Sequence, residues 1–557
     1  AWDLTRHRAG SVVAGVFFAA SPYFAAHLYG HFNLVSAWML PLFAHMLLRS
    51  MMGASARHAA AAGVVLVVTA YSDYYYLVYA AAFGLILLAT RYLALRVVCE
   101  SPAQYPRTRV DRLLLALAIL AAGISLVIWA TGGSVLMLGG LRVSATTGLN
   151  VRFAMWILAF AWLWRRRRPR VRIEERARPH AREILLVVVC AVVFVVGTLP
   201  LVWHGLQLWT RGDYVSQRYF WRSAPKGVDV AGLLVGNPFH PVWGALVQRI
   251  YTACRMNPIE SVGWLGAAPL VLLFMTRRQW LASAEAKRWV LTGAVFLIWA
   301  LGPRLSVFGA DTGLILPQVL IRFVPVVANA RIPGRAMVMV YLATAVLLAV
   351  AVASMQPARG RLLSLALSIA VLVDFCAIPL PLYPLDRPPI YERLAALPYG
   401  AVCELPFGVR DGSGEEGFLD HRTLYYQSIH RKPLVGGFAA RLPDRVKQQY
   451  HEMPALGSLL RLSAGESSRE GEVARDRSLA LSVLRQQNIR YFILNKAIAS
   501  DALIRYATTV LPLRLIMRDG RRELFVLDDQ DERARSQAVI DAGSELSRPG
   551  EDASQRR

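Results

Sequence analysis

The chain contains apolar runs long enough to cross a lipid bilayer, and these runs limit what it can fold into. The run at 336–355, AMVMVYLATAVLLAVAVASM, contains no charged residue. A spanning helix needs about 20 predominantly apolar residues, so such a run favours a membrane helix. The sequence predicts eleven spans, near residues 9–28, 33–48, 59–72, 74–93, 112–131, 151–164, 184–203, 260–276, 288–303, 336–355 and 362–382.

The composition agrees with a membrane protein, because 55% of the 557 residues are hydrophobic and only 18% are charged. A net charge of +25 is also found in nucleic-acid-binding proteins. Here, however, the arginines cluster beside apolar runs, so we expect no nucleic-acid partner. The five cysteines lie far apart and form no disulfide framework or metal-ligand pair. The sequence contains no P-loop, GxSxG or HExxH motif, which argues against an ATP-driven pump or a common hydrolase.

Positive charge predicts the orientation of the spans. Lysine and arginine concentrate in the loops that follow even-numbered spans, most densely in RRRRPRVRIEERARPHAR at 165–182. Cytoplasmic loops carry such an excess, so the amino terminus is predicted to be cytoplasmic and the chain after 382 external. We therefore expect an α-helical integral membrane bundle of about eleven transmembrane helices, N-in and C-out, with a C-terminal extracytoplasmic α/β domain.

After the last predicted span, the long apolar runs give way to shorter helix and strand patterns. We expect a polytopic membrane domain at 1–384, with a long external loop at 204–259, then an external α/β domain at 385–529 and a disordered charged tail at 530–557. In the external domain, AVCELPF and RYFILN are predicted strands, and LPLRLIMRDGRRELFVLDD is predicted to form a hairpin around Asp519 and Gly520.

Four arginines fall in the external loop predicted at 304–335, where the topology rule does not explain them: Arg304, Arg322, Arg331 and Arg335. Guanidinium groups bind phosphate in bidentate fashion, so these residues are candidates for holding a lipid phosphate or diphosphate. The alternative is contact with ordinary headgroups, or pairing with nearby acids such as Asp311.

A second candidate cluster is AYSDYYYLVY at 70–79. Asp73 is predicted to lie in a short external turn, where a carboxylate can act as a general base or can hold a substrate hydroxyl or a metal. Tyr74 and Tyr75 follow it as candidate substrate contacts. The alternative is that Ser72 or Asp73 caps the next helix and that the tyrosines belong to the aromatic belt.

Polar residues in two other external segments are further candidates. His27, His31 and Asn33 bracket the first external turn, and hydrogen bonding to substrate or within the bundle is favoured over metal binding because Gly30 interrupts the helix. Asn237 and His240 lie in YFWRSAPKGVDVAGLLVGNPFHPVWG at 219–244, which has the composition of a reentrant or surface-lying segment. No metal site is predicted, and the need for a cofactor such as a divalent cation stays open.

Six stretches together resemble bacterial multispanning proteins related to GT-C glycosyltransferases. The resemblance extends from residue 9 to about 528. The stretches are SPYFAAHLYGHFNLVSAWMLPLF, SDYYY, NPFHPVWG, LPQVLIRFVPVVANARIPGR, AVCELPFG and YYQSIHRKPLVGGFAARLP.

The resemblance implies a multi-pass enzyme of the bacterial plasma membrane. Such an enzyme takes a sugar from a polyprenyl-phosphate donor and passes it to a lipid, glycan or protein acceptor outside the cytoplasm. Arg331 and Arg335 would then stabilise the leaving phosphate, and Asp73 would accept the proton of the acceptor. Two other classes stay open, a noncatalytic protein that binds or moves a lipid-linked glycan and a scaffold for envelope assembly.

The chain departs from the family pattern at its start. Members of the family carry an essential acidic residue in the first external loop, whereas the first predicted span here resembles the family's third. We therefore expect either that earlier spans with this acid precede Ala1 or that the catalytic activity is missing.

Overall fold

The structure is a computed structural model, and it describes most of the chain. The described residues are 1–99, 108–133, 135–138, 141–144, 148–215, 225–324, 327–355, 357–380, 382, 385–412, 414–469 and 471–528. The predicted tail at 530–557 and the start of the segment 219–244 lie outside these ranges.

The chain divides into two compact units. The first comprises Ala1–His204 and Arg218–Pro381, and the second comprises Gly205–Gln217 and Leu382–Arg557. The main boundary at 381–382 lies close to the predicted one at 384–385. The short segment Gly205–Gln217 was predicted to be part of an external loop of the membrane domain, and its inclusion in the second unit was not predicted.

The described helices up to residue 381 are mostly long and apolar. In chain order they are α1 (Trp2–Thr5), α2 (Arg8–Ala19), α3 (Pro22–His27), α4 (Phe32–Val35), α5 (Met39–Gly53), α6 (Ala56–Ser72), α7 (Tyr74–Tyr92), α8 (Arg109–Thr131), α9 (Leu149–Arg167), α10 (Ala181–Thr210), α11 (Gly244–Ala253), α12 (Ala267–Met275), α13 (Arg277–Trp280), α14 (Ala284–Ala300), α15 (Met337–Ala353) and α16 (Pro357–Asp374).

Short strands and 3-10 turns join these helices. The strands form three antiparallel pairs, β1 (Leu93–Val98) with β4 (Arg170–Glu175), β2 (Val135–Leu138) with β3 (Leu141–Ser144), and β5 (Arg304–Val307) with β6 (Ala310–Ile315). The 3-10 turns are Val230–Leu233, Pro317–Phe323, Val327–Asn329 and Pro333–Ala336.

Six segments of the described chain have the length and composition of membrane spans. They are Arg8–His27, Phe32–Gly53, Tyr74–Tyr92, Arg109–Thr131, Ala181–Thr210 and Pro333–Ala353. Each of the other five predicted spans contains a shorter or less apolar helix, namely α6, α9, α12, α14 and α16. The membrane character of the chain is therefore supported, and six of the eleven predicted spans have both the length and the apolar composition of a membrane span.

Helix α15 lies at the centre of the first unit. Almost every one of its side chains is buried, and it packs against α2 and α14. A helix that is hydrophobic all round is a core helix rather than a surface one. The run that most strongly indicates a membrane thus supplies the core of the bundle.

Polar contacts join segments that were predicted to share the cytoplasmic side. Asp3, near the chain start, accepts contacts from His45 in the middle of α5 (2.6 Å) and from Arg49 in its last part (3.2 Å). Arg91, at the end of α7, pairs with Glu183 at the start of α10 (2.6 Å). The pairing of β1 with β4 connects two further loops of that predicted side.

The second unit is an α/β fold around a four-stranded sheet. The sheet order is β12-β13-β11-β7, with β7 parallel to β11 and the other pairs antiparallel, and a small sheet has the order β10-β8-β9. The elements are α17 (Pro389–Ala395), β7 (Ala401–Leu405), β8 (Gly408–Arg410), β9 (Glu415–Gly417), α18 (Arg422–His430), β10 (Gly437–Phe438), α19 (Asp444–Glu452), α20 (Leu456–Ser463), α21 (Glu472–Gln486), β11 (Ile489–Asn495), α22 (Asp501–Thr509), β12 (Leu513–Asp519) and β13 (Arg522–Leu527).

Strand β11 explains how this unit buries both faces of its sheet. Phe492 and Leu494 belong to one hydrophobic cluster, and Tyr491 and Ile493 belong to another. Successive side chains of a strand point to opposite faces, so the continuous apolar run RYFILN contributes to a core on each side. The predicted strands and the hairpin at Asp519 and Gly520 are confirmed by β7, β11, β12 and β13.

Candidate functional site

Three turns that the sequence placed on the external side meet at one end of the first unit. The turn after α3 contacts the turn between α6 and α7, because Asn33 Nδ2 donates to Asp73 Oδ2 at 2.6 Å. The start of the span Pro333–Ala353 meets α7, since Arg335 Cζ lies 4.6 Å from the Tyr75 ring centroid. Predicted site residues up to 308 positions apart along the chain therefore form one cluster.

The centre of this cluster is an ion pair between Arg335 and Glu260. Arg335 Nη2 lies 2.6 Å from Glu260 Oε1, and Nε lies 3.2 Å from each carboxylate oxygen. The two side chains are only 12% and 18% exposed. Such a bidentate, partly buried pair fixes the geometry of both groups.

Gly334 explains why the pair forms here. A Cβ atom at this position would lie 1.8 Å from the carbonyl oxygen of Glu260, which no side chain tolerates. Pro333 begins the 3-10 turn at the helix start. The sequence RIPGR thus lets the backbone pass directly against residue 260 and places the next side chain on the carboxylate.

Two histidines face the same carboxylate. His27 Nε2 lies 3.7 Å from Glu260 Oε2, and His31 Nε2 lies 3.8 Å from Oε1. The side chain of His27 is 1% exposed and that of His31 is 38% exposed. Gly30 has a φ of 145°, and helix α3 ends at His27, so the predicted interruption is present.

The charges of this cluster shift the titration of its acids and of His31. Burial alone would raise the pKa of Glu260, but its interactions with His27 and Arg335 outweigh burial and hold that pKa at about 2. Burial, followed by the charge of Arg335, lowers the pKa of His31 below its usual value. At neutral pH the site therefore contains an anionic carboxylate on Glu260, and the lowered pKa of His31 disfavours its charged form.

Asp73, the predicted catalytic residue, caps helix α7. Its Oδ1 accepts the Tyr76 backbone N–H at 2.9 Å, and its Oδ2 accepts from Asn33. Burial raises the pKa of Asp73, and these hydrogen bonds, with the charge of Arg335, offset part of the rise. The capping alternative is therefore present in the structure, and the catalytic role stays a prediction.

The tyrosines after Asp73 contact other residues of the cluster and of the core. The Tyr75 hydroxyl accepts the Ile332 backbone N–H at 3.3 Å, which ties α7 to the segment before Arg335. Tyr76 is fully buried, donates to the Leu34 carbonyl and lies 3.3 Å from the Tyr23 hydroxyl. Tyr74 is half-buried against the same core.

The remaining predicted arginines have different surroundings. Arg304 lies on β5, is 9% exposed, and contacts Asp311 on β6 at 2.9 Å between Nε and Oδ2. That is the acid-pairing alternative for this residue. Arg331 is half-buried, two residues before the turn Pro333–Ala336. The backbone of Arg322 belongs to the turn Pro317–Phe323, and its side chain lies outside the described part of the chain.

Asn237 and His240 anchor the segment NPFHPVWG to the end of α16. Asn237 Nδ2 donates to the carbonyls of Phe375 and Cys376 at 3.2 and 3.3 Å. His240 Nε2 donates to the Val373 carbonyl at 2.9 Å, and its ring stacks on Trp243. Both residues were predicted to bind substrate, but the structure places them in contacts within the first unit and does not bring them to Glu260.

A cavity of about 230 Å³ opens beside Glu260. Its lining includes Lys226 and Arg255, whose side chains are exposed, as well as Asn257 and Ser306. Asp229, on the same wall, accepts backbone N–H groups of Phe308 and Gly309 at 2.8 Å and so fixes the turn between β5 and β6. The ion pair thus lies at the edge of a polar cavity whose lining contains two cations, Lys226 and Arg255, and two carboxylates, Asp229 and Glu260.

Glu260 was not predicted as a site residue. It lies at the first position of the span predicted at 260–276, and helix α12 starts only at Ala267. An ionisable residue at a span end is a functional candidate, and that rule applied to NPIESVGW was the available signal. In the described chain, no group of three or more histidine, cysteine or acidic side chains is placed to hold a metal ion.

A comparison with models of known protein families gave no match, and a comparison with curated protein sequences gave none either.

Proposed function

We propose that the chain is a membrane glycosyltransferase that moves a sugar from a polyprenyl-phosphate donor to a lipid, glycan or protein acceptor. In this proposal the membrane is the bacterial plasma membrane, the amino terminus is cytoplasmic, and the ion pair and the second unit lie outside. The proposal develops the resemblance to GT-C proteins. Its support from the structure is the convergence of the predicted external residues on one polar cluster.

The observation that carries the proposal is the polar cavity at the edge of the Arg335–Glu260 pair, where two exposed cations lie near a fixed carboxylate. Transfer from a phosphosugar needs positive charge near the leaving phosphate and a polar group near the acceptor hydroxyl. Lys226 and Arg255 on the cavity wall supply positive charge, and Arg331 lies in the segment just before the pair. Glu260 supplies a carboxylate that is fixed in its anionic form.

The ion pair changes the role proposed for Arg335. Because its guanidinium already binds Glu260 through three contacts, binding a phosphate would require the carboxylate to be displaced or shared. We therefore assign phosphate contact to Lys226 and Arg255, which line the cavity, and propose Arg331 as a further contact because it lies two residues before the turn that contains Arg335. Arg335 holds Glu260 in place.

A second candidate function is noncatalytic binding or translocation of a lipid-linked glycan. The observation that favours it is that both oxygens of Asp73 already accept hydrogen bonds within the bundle. A carboxylate used as a helix cap is less free to act as a base. This candidate needs the cations of the cavity, Lys226 and Arg255, but no proton acceptor.

The test is transfer from a radiolabelled polyprenyl-phosphate sugar in membranes that contain the full chain. One variant combines Lys226→Ala with Arg255→Ala, and a second carries Arg331→Ala alone. The matched control is Arg249→Ala, because Arg249 is an exposed arginine of α11 that does not line the cavity. We expect transfer by the wild type and by the control, and at least a tenfold loss in the other variants.

Donor binding is measured in parallel by retention of the labelled lipid on purified protein. Retention without transfer by the wild type supports the noncatalytic candidate. If the wild type shows neither retention nor transfer, both proposed functions are overturned.

A further inference from the structure

The two ring nitrogens of His27 have different surroundings, and those of Nε2 are not explained by the contacts described so far. Its Nδ1 lies 2.7 Å from the backbone carbonyl of Tyr23. Because a carbonyl oxygen only accepts, Nδ1 must carry the proton. In the neutral ring, Nε2 is then a bare acceptor.

That acceptor points toward a second acceptor. Nε2 lies 3.7 Å from Glu260 Oε2 and has no hydrogen-bond partner within the described residues, although the atom is fully buried. Unpaired buried polar atoms cost about 1–3 kcal/mol and call for an explanation. A proton donor that reaches both atoms would satisfy them, and an oxygen about 2.8 Å from each fits typical hydrogen-bond geometry.

The surroundings of His27 resemble those of a general base. An efficient imidazole base is held in one tautomer by a third group and is flanked by an anion that stabilises the charged ring once it forms. The Tyr23 carbonyl fixes the tautomer, and Glu260 is the anion. The other charged or titratable groups that face this place are Arg335, His31, Tyr75 and the hydroxyls of Tyr23 and Tyr76.

We infer that His27 Nε2 accepts the proton of the acceptor hydroxyl, with Glu260 stabilising the imidazolium that results. This inference rests on the proposed transferase function. The acceptor oxygen forms a bond to the anomeric carbon, and the bond from that carbon to the phosphate oxygen breaks. The leaving polyprenyl phosphate keeps the electron pair, and the hydroxyl proton passes to Nε2.

The arrangement also assigns a different part to Asp73. Its two oxygens are bound to Tyr76 N–H and to Asn33, so it caps α7 and orients the turn. Assigning the proton acceptor to Asp73 or to His27 therefore predicts opposite results in one assay. Replacement of the true proton acceptor lowers kcat, while replacement of the other leaves catalysis largely intact.

His27→Asn is the discriminating variant. The asparagine amide nitrogen takes the place of Nδ1 and can still donate to the Tyr23 carbonyl, but nothing takes the place of Nε2. The competing variant is Asp73→Asn. The matched control is His58→Asn, a half-buried histidine at the start of α6 whose Nδ1 lies 2.9 Å from Ser55 Oγ.

We expect His27→Asn to lower kcat by about 10²- to 10⁴-fold, as for loss of a general base, with KM little changed. We also expect it to remove the acidic limb of the pH–rate profile. Asp73→Asn and His58→Asn should keep that limb. Wild-type kcat and an intact acidic limb in His27→Asn would overturn the inference, and loss of transfer in Asp73→Asn alone would return the role to Asp73.

A second measurement does not depend on transfer. Nitrogen-15 spectra of histidine-labelled protein in lipid vesicles distinguish a protonated from a bare ring nitrogen. We expect one histidine, missing in His27→Asn, with a protonated Nδ1 and a bare Nε2 near neutral pH. An Nε2 that stays protonated from pH 5 to 9 would overturn the inference. Absence of transfer in the wild type would instead refute the proposed function.

Discussion

Arg335 binds the carboxylate of Glu260, 75 residues earlier in the chain, through its Nε and Nη2 atoms. The pair is close to buried, and two histidines face the same carboxylate. This contact connects the start of the central helix α15 to the segment before α12. It also holds in place the Glu260 carboxylate, which takes part in the proposed chemistry.

The pair predicts strong coupling between its two residues. Breaking one partner of a buried ion pair costs about 3–5 kcal/mol, because the other charge is left uncompensated. We expect Arg335→Ala or Glu260→Ala to lower the thermal unfolding temperature in detergent substantially, and the double variant to lose much less than the sum of the two. Additive losses would contradict the pair as a stabilising unit.

The close approach of Gly334 predicts that this position rejects any side chain. In Gly334→Ala the new Cβ would overlap the Glu260 carbonyl oxygen, so the turn Pro333–Ala336 must shift. We expect a loss of about 1–3 kcal/mol or more, seen as a lower unfolding temperature. Gly15→Ala on α2, where a Cβ meets nothing within 4 Å, is the control and should unfold at the wild-type temperature or slightly above it, because alanine is the better helix former.

The cap at Asp73 predicts a difference between two substitutions. Asparagine is a good N-cap residue, whereas loss of a cap to alanine costs about 0.5–2 kcal/mol. We expect Asp73→Ala to unfold at a lower temperature than Asp73→Asn, which should stay close to the wild type. Equal losses in the two variants would show that the charge, rather than the cap, stabilises the turn.

Buried Glu404 predicts a pH dependence of the second unit. Burial raises its pKa to about 8, although Tyr391 donates a hydrogen bond to Oε2 at 3.3 Å. The folded unit therefore binds this proton more tightly than the unfolded chain does. The contribution of protonated Glu404 to the stability of the unit is lost as pH rises from about 4.5 through 8. Burial lowers the pKa of His430 to about 4, and its opposite contribution is lost as pH falls below 6.5.

Measurement between pH 6.5 and 8 separates the two groups, because His430 changes little there. Cys403 is the only cysteine of residues 382–557 and is fully buried, so thiol labelling of it in the full chain reports opening of the unit. Thiol reactivity itself rises with pH, and the comparison is therefore with Glu404→Gln. We expect the wild type to gain more labelling than this variant between pH 6.5 and 8. Equal gains would contradict a raised pKa.

The proposed topology predicts which positions a membrane-impermeant maleimide reaches. In a variant without the native cysteines, Asn257→Cys beside the cavity should react in intact cells. Arg57→Cys at the start of α6 should react only after the membrane is opened. Both side chains are exposed, so burial does not explain a difference. The reverse pattern would place the ion pair in the cytoplasm and would remove the basis of the proposed function.

The sequence by itself determined the local and periodic features. Apolar runs predicted helices in all eleven segments, because helix formation and burial of apolar side chains depend on composition within a short window. The short continuous apolar run in RYFILN and the turn residues Asp519 and Gly520 predicted strands of the second unit from equally local signals. Asp73 was recognised as a possible cap from its position before a helix.

Only the tertiary structure decided which distant residues meet. Glu260 looked like the first residue of a span, and nothing within its own window showed that Arg335, His27 and His31 would surround it. Arg304 and Asn237 looked suitable for a ligand, yet Arg304 pairs with Asp311 and Asn237 donates to backbone carbonyls. The identity of a partner is set by long-range packing, and for Glu260 it was set by the one glycine that lets two backbones touch.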